Sequence, residues 1–315
     1  MTRRPVAVLL ASALVWLVAA GLVPASPAPA QEAAQKAPQE APREAREPKQ
    51  EQDLAQPAGE PKLDVEAVSR KQPLLLQRAL AELEGARADR SPRLFFVGFA
   101  GYGWEAVFKR EALAVRALFD ERFGTRGRSL TLVNHPSTVD DIALASPANL
   151  ERVLQHIGGV MNPDTDTLFL FLTSHGRKNL FAVDMPGFAF DALSPAALGS
   201  MLDRARIKNR VVVVSACHAG SFIPRLADPT TLVIAAAHAD RTSFGCEDRR
   251  EWTYFGDAFF NRALRQERSF ERAFWLARRT IGRWEARERL VRSLPQIAGG
   301  EALRSRLDEI ASGTQ

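Results

Sequence analysis

Two short stretches hold the residue types from which nucleophilic chemistry is built. One apolar run ends in Thr173-Ser174-His175-Gly176, and a run of four valines ends in Ser215-Ala216-Cys217-His218-Ala219-Gly220. A thiol beside an imidazole is what covalent cysteine catalysis requires, because histidine favours the thiolate and then supplies a proton to the leaving group. Cys217 and Cys246 are the chain's two cysteines, so Cys217 also fits a disulfide with Cys246, a buried inert thiol or a metal ligand. A metal set of Cys217, His218 and His175 lacks zinc-ligand spacing, and neighbouring side chains in a chain point apart.

For His175 and Cys217 to meet, secondary structure must bring them together. Short, continuously apolar runs at 94–99, 129–134, 166–174, 210–216 and 231–237 read as strands buried on both faces. Helical patterns lie between them over 105–123, 147–157 and 194–206, and two more, about 254–266 and 269–292, follow the last run. Ser146 and Ser194, each followed by proline, read as N-caps. Strands alternating with helices predict an α/β fold with a mostly parallel sheet covered on both faces. In such sheets ligands bind beyond the carboxyl ends of the strands. The third strand delivers His175 there, the fourth Cys217 and the fifth His238. If the third and fourth are neighbours, His175 and Cys217 lie about 5 Å apart, one strand spacing. Gly176 lets backbone approach a substrate closely, and its N–H with that of Cys217 forms a candidate oxyanion hole.

The rest of the chain bounds the reading. A 46% apolar and 25% charged composition is that of a globular protein. The net charge of +5 is arginine spread along the chain rather than a basic run interleaved with aromatics, which argues against nucleic acid as a partner. The loop Gly98-Phe99-Ala100-Gly101-Tyr102-Gly103 departs from G-x-G-x-x-G, and no acid ends the second strand, so a dinucleotide is not expected. Arg3 and Arg4, an apolar run and the ending Ala28-Pro29-Ala30 predict a signal peptide or N-terminal anchor over 1–30, and hence export to a periplasmic or secreted location, with a membrane tether if the segment is retained. Residues 31–62, rich in Ala, Pro, Gln and Glu, predict a disordered linker. An edge helix over 63–88, a catalytic domain over 89–300 and a tail over 301–315 complete the expected organisation.

Here a resemblance becomes specific. "FLTSHGRKNLFAVDMP" and "VVVVSACHAGSF" resemble, in order and separation, the Asp-His-Gly and Glu-Ala-Cys-Glu-Ser-Gly-Ser motifs of the legumain (asparaginyl endopeptidase) family of caspase-like cysteine peptidases. "AAAHADRTSFGCEDRREWTYFGDAFF" and "GYGWEAVFKREALAV" resemble two further family stretches, so the likeness spans about residues 93–265. The resemblance implies a caspase-like three-layer α/β/α sandwich and a cysteine-type peptidase that needs no cofactor and no metal. It further implies His175 as catalytic histidine, Cys217 as nucleophile and Gly176 at the oxyanion site. Thr242 and Ser243 fall where family backbone pairs with extended substrate. Lys109, Arg110, Ser215 and Asp257 fall on positions of the specificity pocket. Ser215 replaces the family's glutamate and Lys109 its arginine, so an asparagine preference does not carry over. Cys246 matches a family cysteine. A transamidase using the same dyad, a non-catalytic peptide-binding relative and a disulfide-stapled domain are the alternative readings.

Overall fold

The computed structural model describes residues 63–83 and 93–312; the expected leader (1–30) and linker (31–62) lie outside the described residues. Helix α1 (Val65–Ala81) comes first, followed by β1 (Leu94–Ala100), α2 (Ala106–Arg122), β2 (Ser129–Val133), α3 (Pro147–Val160) and β3 (Thr167–Thr173). A small hairpin of β4 (Gly176–Arg177) and β5 (Leu180–Phe181) leads to α4 (Pro195–Arg204), β6 (Arg210–Ser215), α5 (Ile223–Leu226) and β7 (Thr231–Ala235). Next is a helical stretch of α6 (Tyr254–Gly256), a π-helical segment (Asp257–Ala263) and α7 (Leu264–Gln266). Helix α8 (Phe270–Glu288), β8 (Gln296–Ala298) and α9 (Arg304–Ser312) complete the described chain.

The main sheet has the order β2-β1-β3-β6-β7-β8, parallel throughout except for β8, which runs antiparallel to β7. Alternation along each strand divides the side chains between two cores. Phe96, Phe169, Phe171, Val211, Val213 and Ile234 pack with residues of α2, the 254–266 stretch and α8. Phe95, Val97, Leu168, Leu170, Val212 and Val233 pack with residues of α1, α3 and α4. Helices on both faces of a mostly parallel sheet make the expected three-layer α/β/α sandwich. Full burial of each such side chain contributes about 1.5–3 kcal/mol, so this double core dominates stability.

The N-caps form as read: Ser146 Oγ accepts from Asn149 N–H at 3.1 Å and Ser194 Oγ from Ala197 N–H at 3.1 Å. Two features differ from expectation. Strand β8 adds a sixth member to the sheet, although Gln296-Ile297-Ala298 carries too short an apolar run to announce it. Residues 301–312, read as tail, instead bury Leu303, Leu307 and Ile310 in the α2/α8 core.

Candidate active site

Strand pairing sets the site. Strand β3 pairs with β6 in parallel, with Thr173 opposite Ser215. His175 and Cys217 each follow by two residues, so neighbouring strands deliver both at the same edge. Ser174 N–H donates to the Ser215 carbonyl at 3.2 Å and continues the ladder one step further.

His175 stands edge-on between two aromatic rings, with centroids 4.6 Å from Tyr102 and 5.1 Å from Phe108. Its side chain remains 24% exposed. Nε2 lies 3.5 Å from Glu105 Oε2, an oxygen that is buried and makes no hydrogen bond to the described residues. Glu105 occupies the N-cap position of α2, so the helix start brings a carboxylate to the imidazole.

Gly176 opens the β4–β5 hairpin, and a Cβ there would sit 2.5 Å from the Cys217 carbonyl oxygen. Only glycine lets these two backbones come so close. The hairpin is held to the segment after Cys217, because Asn179 N–H donates to Ser221 Oγ at 2.8 Å.

Cys217 is partly exposed just beyond β6. Ser243 N–H donates to its sulfur at 3.2 Å, and the thiol donates to the Ser243 carbonyl at 3.7 Å. The next residue, His218, adopts a left-handed conformation (φ 57°) and turns the chain into a short 3₁₀ segment. Its N–H donates to the Arg241 carbonyl at 2.8 Å, and its Nδ1 lies 3.0 Å from the Ala239 carbonyl. These bonds lash the turn after Cys217 to the 239–243 segment. Cys217 and Cys246 are not joined in a disulfide, and burial pushes the Cys246 thiol pKa well up, with the Cys217 charge adding. Among the described residues no three His, Cys, Asp or Glu side chains cluster as metal ligands.

The residues expected to bind substrate separate into two groups. Ser243 touches Cys217, and half-buried Thr242 adjoins it. Ser215 is buried, with Oγ 3.4 Å from Thr253 Oγ1, facing the interior rather than solvent. Lys109 donates to Ser137 Oγ at 2.8 Å, with burial and then Arg110 lowering its pKa. Beside it, half-buried His135 has its pKa pushed down to about 4, by burial first and then by Lys109. Arg110 donates to the Arg250 carbonyl at 3.2 Å and pairs with Glu251 at 3.6 Å, fixing the 248–251 loop. Asp257 starts the π-helical segment, bonds Asn261 at 2.7 Å and Arg262 at 3.0 Å, and lines a groove with Trp252 and Trp284.

Three contributors escaped the sequence reading. Glu105 was hidden because an acid at a helix start is ordinary. Tyr102 was read only as part of a glycine-rich loop. Glu111 carried a signal, since it lies on the buried stripe of α2 with Val107, Phe108 and Val115.

Residues 148–298 match the model of the Peptidase C13 family, a span that holds His175, Cys217 and Asp257. No curated protein matches the chain. Among solved structures, caspase-1 from Spodoptera frugiperda is similar at 12% identity with a TM-score of 0.48, covering 68% of this chain and 88% of that one. The Peptidase C13 match spans both motif strands over just under half of the chain, and it supports a cysteine-type peptidase acting on peptides or proteins, here built on a three-layer α/β/α sandwich.

Proposed function

We propose that the chain hydrolyses peptide bonds through a Cys217–His175 dyad and an acyl-enzyme. The Cys217 thiol passes its proton to His175 and the sulfur attacks the carbonyl carbon, whose oxygen takes up negative charge facing the Gly176 and Cys217 amides. His175 gives its proton to the departing amine as the carbon–nitrogen bond breaks. Water then attacks the thioester, losing a proton to His175 and returning the thiol. The observation that carries this reading is the Thr173–Ser215 register, which sends both residues out of adjacent strands at one level. The backbone beside Ser243, already bonded to the sulfur, is where an extended substrate is expected to align.

A peptidyl acyloxymethyl ketone tests it. Peptide mapping is expected to find the label on Cys217 and none on buried Cys246; label on Cys246, or none at all, removes the assignment. Glu105 faces Nε2, which leaves Nδ1 as the nitrogen for the proton transfers. Replacing Glu105 by Gln keeps the shape and removes the negative charge beside Nε2. The expected result is about a tenfold fall in kcat with KM little changed, as for an interaction made mainly in the transition state.

A further inference from the structure

Behind the two strand ends lies a carboxylate that this chemistry does not use. Glu111 is fully buried, at 0% exposure. Three donors converge on it: Thr173 Oγ1 at 2.5 Å, Thr253 Oγ1 at 2.7 Å and Thr253 N–H at 3.2 Å. Thr173 ends β3, two residues before His175. Thr253 caps α6 and its Oγ1 approaches Ser215 Oγ, two residues before Cys217. Gly256 leaves space for the carboxylate, since a Cβ there would come within 1.7 Å of Glu111 Oε1. A buried carboxylate is costly unless its oxygens are satisfied, and the surrounding apolar core would accept an aliphatic residue more cheaply. One side chain therefore links α2, β3 and α6, and through Thr253 reaches β6.

We propose that Glu111 is a positioning residue: its carboxylate draws Thr173 and Thr253 together and so sets the spacing of His175 and Cys217, and its protonation relaxes that spacing. The proposal rests on the dyad reading above.

The donor count supports it. An ionised carboxylate accepts all three bonds, whereas the protonated acid must donate one and holds the two threonines less firmly. Burial raises the Glu111 pKa to about 7, while the bonds from Thr173 and Thr253 pull it down. The switch therefore falls in the neutral range. Because the folded pKa lies above the ordinary 4.5, the native state holds the extra proton between the two values. Stability is full below about 4.5, declines as pH rises and is lowest above about 7. The arrangement with three accepted bonds thus forms where it is costliest. The groups facing Glu111 do not compete with it. Thr173 and Thr253 present hydroxyls, and Cys246 presents a thiol that burial keeps protonated. On its own helix Lys109 and Arg110 turn to Ser137 and to the Arg250 carbonyl.

The test is the rate at which iodoacetamide alkylates Cys217, located by peptide mapping, from about pH 5.5 to 8.5 in wild type and Glu111→Gln, with thermal melts confirming that both are folded. Glutamine has the shape of the protonated acid. The two rates are expected to agree within about twofold near pH 5.5 and to differ about tenfold, wild type faster, near pH 8.5. A ratio that does not change with pH, or a faster variant, overturns the proposal. Should Glu111→Gln fail to fold, Thr173→Val serves. Losing one donor should move the wild-type rise in reactivity to higher pH, and an unmoved rise is equally fatal. If peptidase activity survives Cys217→Ala the dyad itself falls; a flat ratio in an enzyme that Cys217→Ala inactivates removes only the role of Glu111.

Discussion

Cys217→Ala is expected to lower peptide hydrolysis at least about a thousandfold, and His175→Ala to do nearly the same. In the proposed dyad neither residue works without the other, because the sulfur needs a proton acceptor and the amine a proton donor. The double variant should therefore be no slower than the worse single one, since residues acting as a unit are not additive. Turnover of a fluorogenic peptide library by the four proteins measures this. Equal cleavage by wild type and Cys217→Ala would mean that another residue attacks. Neither substitution should affect folding much, because both side chains are partly exposed and lie outside the two cores.

Gly176→Ala should come next in size. The added methyl would lie 2.5 Å from the Cys217 carbonyl oxygen, 3.0 Å from Ala216 Cβ and 3.3 Å from the Leu180 carbonyl oxygen. Two of these three are backbone, fixed by β6 and the hairpin, so they cannot swing aside as a long side chain would. The hairpin or the turn after Cys217 must move, which would disturb the amides proposed to face the developing oxyanion. We expect about a hundredfold loss of kcat/KM, the scale of a lost oxyanion donor, with about 1–3 kcal/mol of destabilisation from the forced shift. Gly159→Ala is the matched control. A Cβ there meets nothing within 4 Å, and α3 should gain up to about 1 kcal/mol of helix propensity with activity unchanged. If Gly176→Ala behaves like Gly159→Ala, the close approach at Gly176 has no catalytic meaning.

The parts of this molecule that could be read in its sequence are those where one physical demand acts alone. Strands β1, β3, β6 and β7 are buried on both faces, so unbroken apolar runs mark them. Serine caps followed by proline mark α3 and α4. The strand ends gave His175 and Cys217 because the chemistry of those residue types is distinctive. Elements under mixed demands were harder to see. Strand β8 is only half-buried and three residues long. The π-helical segment carries the same apolar pattern as an ordinary helix. Family likeness gave chain positions for Lys109, Arg110 and Asp257 but not the partners their long side chains take. Ser215 turned inward because Thr253 offers its hydroxyl a partner in the core.

Strand β8 also bears on when the turn after Cys217 is fully packed. Gln296 lies against that turn, where a Cβ on Gly220 would sit 2.1 Å from its Oε1, and the Ser293 carbonyl accepts from His238 N–H at 2.8 Å. These residues emerge from the ribosome long after Cys217. The packing of the turn after Cys217 thus depends on a segment made much later and laid antiparallel along β7.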